Sequence, residues 1–370
     1  MRFFIAVLGI ICAATLAGAA TMQTSQGQLK ITKMASGLKE PWALAFLPGG
    51  GFLVTLRGGT LRYYADSDAP QSDFQNVRGV PKVRARGQGG LLDVVAARDF
   101  ARTREIFLSF VKPGHGGGAT AMAVARLSAD GARLEKLRVI FEMSKFSGAT
   151  KHYGSRVVEA RDGTLFLTIG ERGARDLAQD LTVHNGKVIR VNRDGTIPHD
   201  NPFADGGGAP EIWSYGHRNP QGAALDGRGN FWLVEHGAKG GDEINRPRKG
   251  RNYGWPVISY GTHYNGAKIG VGSASAGMEQ PEYYWDPSIA PSGMMIYSGA
   301  MWPRWQGNFF VGSLKFDYIS RLAFVGGTLK QVERLGSQET GRLRDVREAP
   351  DGSIWFLSVD KGALYRISRN

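Results

Sequence analysis

Six times along this 370-residue chain, an apolar strand runs into a tight turn and then a second strand of apolar and aromatic residues. The segments begin near Trp42, Leu91, Val157, Gly222, Met294 and Leu343. Their turns carry Pro48-Gly49-Gly50-Gly51, Ala97-Arg98-Asp99, Asp162-Gly163, Asp226-Gly227, Gln306-Gly307-Asn308 and Asp351-Gly352. Asp-Gly between apolar runs is a strong hairpin signal, because glycine accepts the positive φ such a turn needs. Strands such as Leu165-Phe166-Leu167-Thr168 and Ile354-Trp355-Phe356-Leu357 follow. A repeat of roughly 50 to 72 residues suits four antiparallel strands and variable loops. No long amphipathic helix interrupts the series. The pattern predicts an all-β, six-bladed β-propeller with four-stranded antiparallel blades; a pair of β-sandwiches is the alternative.

The 52 glycines are spread along the chain, as many short strands joined by many turns require. The first twenty residues read as a cleaved signal peptide, with Arg2 followed by an apolar run to Leu16 and small residues at Gly18-Ala19-Ala20. Residues 21–370 then form one propeller domain, exported to the periplasm. The apolar run is short for a membrane span, so no stable membrane insertion is expected. Cys12, the single cysteine, falls inside this segment, and the mature chain is held together without disulfides. Loss of Arg2 lowers the formal charge from +13 to +12. The remaining cations are dispersed rather than set in a stripe, which argues against nucleic acid and for a solvated surface or the steering of an anion.

Chemistry concentrates in Gly216-His217-Arg218-Asn219-Pro220-Gln221-Gly222. Arginine clamps a carboxylate through two parallel hydrogen bonds, and asparagine pairs in the plane of a ring. Alone, the run equally describes a buried loop in which arginine ties down strand ends. On a propeller, however, residues just before each repeat converge on one end of the central channel. Gln88 precedes the second repeat, His152 the third and Arg218-Asn219 the fourth, while Arg342 and Arg344 flank the start of the sixth. A histidine, an arginine beside an amide, and further cations at Lys315, Arg342 and Arg344 suit a planar, polyanionic, redox-active ligand. No nucleotide fingerprint competes: Gly114-His115-Gly116-Gly117-Gly118 opens no helix.

From about Gly37 to the C-terminus the chain resembles the soluble pyrroloquinoline-quinone-dependent sugar dehydrogenases, especially the periplasmic aldose sugar dehydrogenases. The motifs are Gly87-Gln88-Gly89-Gly90, His152-Tyr153-Gly154-Ser155-Arg156, Gly170-Glu171-Arg172-Gly173, the Gly216–Gly222 run and Glu235-His236-Gly237. Gly241-Asp242-Glu243, Asn252-Tyr253-Gly254-Trp255-Pro256, Ser313-Leu314-Lys315 and Arg342-Leu343-Arg344-Asp345 complete them in order. The resemblance implies oxidation of an aldose at its C1 hydroxyl, with pyrroloquinoline quinone (PQQ) and calcium as cofactors. His152 is then the general base, Glu171 its orienting carboxylate (a position where the family also shows Asp), and Arg218 the stabiliser of charge on the quinone oxygen. Gln88, Asn219, Tyr264, Ser288, Leu314, Lys315, Arg342 and Arg344 contact the cofactor. The main-chain carbonyls of Gly237 and of Ala238, where proline is familiar, hold calcium; the Glu243 carboxylate and Tyr253 carbonyl hold a second ion. An external electron acceptor completes the cycle, and the chain is a monomer or homodimer. Rival readings on the same fold are a calcium-dependent lactonase and a non-catalytic glycan- or protein-binding propeller.

Overall fold

The computed structural model describes residues 20–70 and 73–370; the signal segment and Cys12 lie outside them, except for Ala20. Two strands, β1 (Ala20–Thr24) and β2 (Gly27–Ala35), precede the first repeat. Blade 1 holds β3 (Pro41–Phe46), β4 (Phe52–Leu56), β5 (Thr60–Tyr64) and β6 (Gln75–Asn76). Blade 2 holds β7 (Leu91–Ala96), β8 (Glu105–Gly114), β9 (Gly117–Leu127) and β10 (Leu134–Glu142). Blade 3 holds β11 (Val157–Glu159), β12 (Leu165–Ile169), β13 (Lys187–Val191) and β14 (Ile212–Tyr215). Blade 4 holds β15 (Pro220–Leu225), β16 (Phe231–Glu235), β17 (Asp242–Asn245) and β18 (Tyr283–Trp285). Blade 5 holds β19 (Pro291–Ile296), β20 (Phe309–Ser313), β21 (Tyr318–Val325) and β22 (Thr328–Gly336). Blade 6 begins with β23 (Leu343–Glu348), β24 (Ile354–Ser358) and β25 (Ala363–Ser368).

All six repeats read from the sequence become antiparallel sheets of the propeller, and five have four strands. The sixth has five, because β2 pairs with β25 and β1 pairs with β2. The N-terminal strands therefore close the ring on the last blade and cover what would otherwise be an open edge. Ile31 of β2 is buried in one cluster with Phe356, Tyr365 and Leu335. Ile31→Ala is expected to cost about 2–4 kcal/mol through lost burial and a residual cavity, read as a lowered midpoint in denaturant unfolding. An unchanged midpoint would show that this closure contributes nothing.

Aromatic side chains pack between neighbouring blades. Phe166 stacks on Phe231 at 4.6 Å, Trp232 meets Phe309 edge-on at 4.9 Å, and Trp355 meets Phe46 edge-on at 5.0 Å. The inner strands are tied by a buried ionic knot. Arg156 reaches Asp93 at 3.2 Å and Asp345 at 3.0 Å, and Arg347 bonds the same two carboxylates at 3.2 and 3.1 Å. Arg156 Nε also donates to the Gln221 carbonyl at 2.7 Å. The knot joins the start of blade 3 to blades 2, 4 and 6 and forms a charge-balanced floor for the channel. Among the described residues no helix is long and apolar enough to cross a membrane.

Candidate active site

Above this floor, the segment entering β11 and the one leaving β12 are pressed together. Gly154 sits at φ 65°, and a Cβ there would lie 2.7 Å from the Thr168 carbonyl oxygen. His152, Ser155 and Arg172 also hold positive φ, at 54°, 88° and 61°. Non-glycine residues adopt this region at a cost on the order of 1–3 kcal/mol each, so the surrounding contacts must over-determine it. Arg172 supplies many of those contacts. Its guanidinium donates to the carbonyls of Lys151, Gly118 and Ala149 and lies 3.6 Å from the centre of the Tyr153 ring.

The result is a fixed histidine–carboxylate pair. His152 Nδ1 donates to Glu171 Oε1 at 2.8 Å, while Glu171 Oε2 accepts from the Gly173 amide. This leaves Nε2 as the basic nitrogen. Burial pushes the imidazole below its ordinary pKa; the Glu171 hydrogen bond pulls it back up, and the Arg218 charge lowers it further. The His152 amide donates to Gln88 Oε1 at 2.8 Å, which connects the pair to blade 2.

Arg218 and Asn219 enter from blade 4. Ser214 Oγ donates to His217 Nε2 at 2.9 Å, His217 Nδ1 donates to Glu235 Oε1 at 2.8 Å, and Glu235 Oε2 accepts the Arg218 amide at 2.7 Å. His217 is wholly buried, so this Ser–His–Glu chain holds backbone rather than meeting substrate. Arg218 Nη1 reaches the His236 carbonyl at 3.4 Å, and its buried Nε has no partner. Asn219 Oδ1 accepts from Gly154 and Gln221, which leaves its amide nitrogen available to a ligand.

Blades 5 and 6 supply the opposite wall. Arg342 and Arg344 line one cavity with Gln88, Asn219 and Leu314, while Leu343 between the two arginines is buried. That is the two-residue alternation of an extended strand. Arg342 donates to the Leu314 carbonyl at 3.0 Å and Arg344 to Gln221 Oε1 at 2.9 Å. Burial, reinforced by Arg156 and Arg342, pulls Arg344 down to about 9. No Asp or Glu lines this cavity, so its cations face it without a carboxylate among the lining residues, and Asp345 only partly offsets the charge on Arg344. A planar polycarboxylate such as PQQ fits such a lining.

Beside it lies a small chamber of about 10 Å3, lined by Arg218, Glu235, His236, Gly237, Glu243 and Tyr253, among others. Such a volume is about one water-sized sphere. Burial, with Glu235 close by, raises the Glu243 carboxyl to about 8, and a cation would reverse that shift. A Cβ on Gly237 would lie 2.2 and 2.3 Å from the Gly240 and Gly241 carbonyl oxygens, so glycine alone leaves this oxygen-rich turn intact. Oxygen donors of this kind suit a hard cation such as calcium. Ala238 sits in the same turn, bridged to Gly240, but outside the chamber lining. Among the described residues, no group of three or more His, Cys, Asp or Glu side chains is arranged to hold a metal.

His152, Glu171 and Arg218 border this cavity without being part of its lining, and three further sequence candidates, Tyr264, Lys315 and Ser288, stand apart from it. Tyr264 is 75% exposed. Lys315 is exposed, with its ammonium 4.8 Å from the Phe316 ring centre. Ser288 Oγ donates to Asp242 Oδ2 at 2.7 Å; the same oxygen accepts the amides of Ile289 and Ala290, so the hydroxyl helps to fasten a loop. Conversely, Trp42, Gln221 and His236 line the cavity, although sequence reasoning gave them no role. Gln221 was within reach of that reasoning, because it lies two residues beyond Asn219 in extended chain. Burial pushes His236 down to about 3, aided by the Arg218 charge, so it faces the site as a neutral ring.

Residues 38–366 match the Glucose / Sorbosone dehydrogenase family. The chain is 43% identical over 373 residues to Aldose sugar dehydrogenase YliI of Escherichia coli K12, covering 99% of this chain and 98% of that protein. The crystal structure of the soluble aldose sugar dehydrogenase from Escherichia coli, in its apo form, superposes with a TM-score of 0.86 at 42% identity, covering 92% of this chain and all of that one. The PQQ-bound aldose sugar dehydrogenase of Streptomyces coelicolor superposes with a TM-score of 0.74 at 26% identity, covering 92% and 98%.

Proposed function

The chain belongs to the Glucose / Sorbosone dehydrogenase family, a family of oxidoreductases, and on that premise we propose that it oxidises aldose sugars at the C1 hydroxyl to the lactone, using PQQ and calcium. The observation that carries this reading is the His152–Glu171 pair tied through Gln88 to a cation-lined cavity whose lining, which includes the neighbouring Tyr153 and Gly154, holds no carboxylate. When bound there, PQQ supplies the two-electron acceptor for the hydride leaving C1, and calcium supplies Lewis acidity toward its carbonyl oxygen. His152 Nε2 takes the hydroxyl proton, and Glu171 holds the ring in the tautomer that makes this possible. Arg218 stabilises negative charge developing on the acceptor oxygen, a role its unpartnered Nε leaves open. Gln88 and Asn219 bond the acceptor edge, and Arg342 and Arg344 pair with its carboxylates, joined by Lys315 if its flexible stem turns inward. Leu314 packs beside them; Tyr264 and Ser288 would need another conformation to join. The carbonyls of Gly237 and Ala238 would hold the calcium, and the Glu243 carboxylate with the Tyr253 carbonyl would hold a second ion, for which the shared chamber of about 10 Å3 would have to widen. Electrons then pass to an external acceptor in the periplasm, reached through the N-terminal leader.

The lactonase reading leaves Arg218, Arg342 and Arg344 without a task. Apo-protein supplied with PQQ and calcium is expected to reduce a dye when an aldose is added. Chelation should abolish that activity until calcium returns, while Ala238→Gly retains it, because a main-chain carbonyl survives the substitution. Activity that persists after metal analysis confirms calcium loss would remove the metal from the reaction.

A further inference from the structure

A second, larger cavity of about 830 Å3 runs down the outside of the propeller between the outer strands of blades 4 and 5, separate from the funnel. Both walls present aromatic faces. Tyr260 stacks on Tyr284 at 4.0 Å on one side, and Phe316 lies parallel to Tyr318 at 6.2 Å on the other. Tyr284 and Phe316 are each 45% exposed, so each wall offers one open ring, whereas Tyr318 behind Phe316 is buried in the core. Charged groups of both signs share the walls: Glu282 and Asp286 against Arg334. Flat apolar faces edged by hydrogen-bonding groups match a pyranose, whose ring carries C–H faces and a hydroxyl rim. An acceptor that is apolar all round would leave those charges poorly solvated.

The groove and the funnel are separate cavities on either side of the same two segments. Ile289 lines the groove and its neighbour Ala290 the funnel; Leu314 lines the funnel and Phe316 the groove. A sugar oxidised at C1 must insert its reducing end, so the remainder of a longer saccharide lies outside the funnel, where the groove is the flanking aromatic surface. Resting on the reaction proposed above, we infer that the groove is a subsite for the non-reducing residues of an oligosaccharide whose reducing end occupies the funnel.

The test uses holoenzyme with glucose, a disaccharide and a longer gluco-oligosaccharide. KM should fall with length in the unaltered protein. Tyr284→Ala and, on the facing wall, Arg334→Ala should each raise KM for the oligosaccharide by roughly tenfold, the loss of about one ring or charged contact, with glucose kinetics unchanged. A second measurement uses isothermal titration calorimetry with the corresponding oligosaccharide alditol, which has no C1 hemiacetal to oxidise. Binding that persists in His152→Ala and is lost in Tyr284→Ala supports the subsite. Glucose oxidation with a KM indifferent to length and no alditol binding would overturn the subsite and leave the reaction standing. Alditol binding without oxidation of any sugar would sink the reaction and keep a saccharide site. Saturable binding of an apolar quinone with no alditol binding would reassign the groove to the electron acceptor and overturn the inference.

Discussion

His152→Ala is expected to lower kcat by about 10²–10⁴-fold, the usual contribution of a positioned general base. Its ring is fixed at Nδ1 by Glu171, so Nε2 is the nitrogen left to accept a proton. Binding of PQQ should change far less, because the proposed partners of its carboxylates lie on blades 5 and 6. The pH profile is a separate check. Only the neutral ring accepts a proton, so activity falls as pH drops through the pKa of His152. Burial places that value below the ordinary 6.5, and the acid limb is therefore expected below pH 6.5. Glu171→Gln removes the negative charge and weakens the hydrogen bond that together pull the value upward, so the limb should move to still lower pH while kcat falls. The deciding measurement is single-turnover reduction of the bound acceptor by an aldose. Equal rates in His152→Ala and unaltered protein would exclude this residue as the base.

Arg344→Ala is expected to weaken PQQ binding by roughly 10- to 100-fold, as loss of a charge-assisted hydrogen bond predicts. The apo-protein should respond in the opposite sense. Burial beside Arg156 and Arg342 holds this guanidinium at about 9, well below its unfolded value. The cost of keeping it charged is fully present below that pH and is relieved only as pH rises through it. At neutral pH the variant should therefore unfold no more easily than the parent and somewhat less easily. Stability held for binding in this way is a common cost of function. Titration of both proteins with the cofactor, paired with thermal unfolding of the apo forms, checks both halves. Unchanged affinity would remove Arg344 from the clamp; lowered apo stability would show its role to be structural.

Much of this was readable in one dimension because its causes are local. Asp162-Gly163 and Asp351-Gly352 demand turns whatever surrounds them, and the apolar runs beside them can only be strands at that spacing. The Arg342-Leu343-Arg344 alternation likewise gives two cations on one face as soon as the segment is extended. His152 and Glu171 were named as a pair, and the structure sets them 2.8 Å apart.

What the sequence left open depends on contacts between distant segments. Nothing local in β1 or β2 says that they complete the sixth blade, because that edge exists only once the ring has closed. Ser288 reads as a hydroxyl free to bind a ligand, but Asp242, folded onto the same loop, takes it first. Tyr264 and Lys315 carry suitable chemistry, yet loop placement turns both toward solvent. His236 looks like any other histidine until burial beside Arg218 strips it of charge. Residue type and alternation thus determined the six sheets and the chemical inventory of the site. Which groups line the cavity, and in what charge state, was decided only by the folded structure, since burial and neighbouring charges are properties of the assembled propeller.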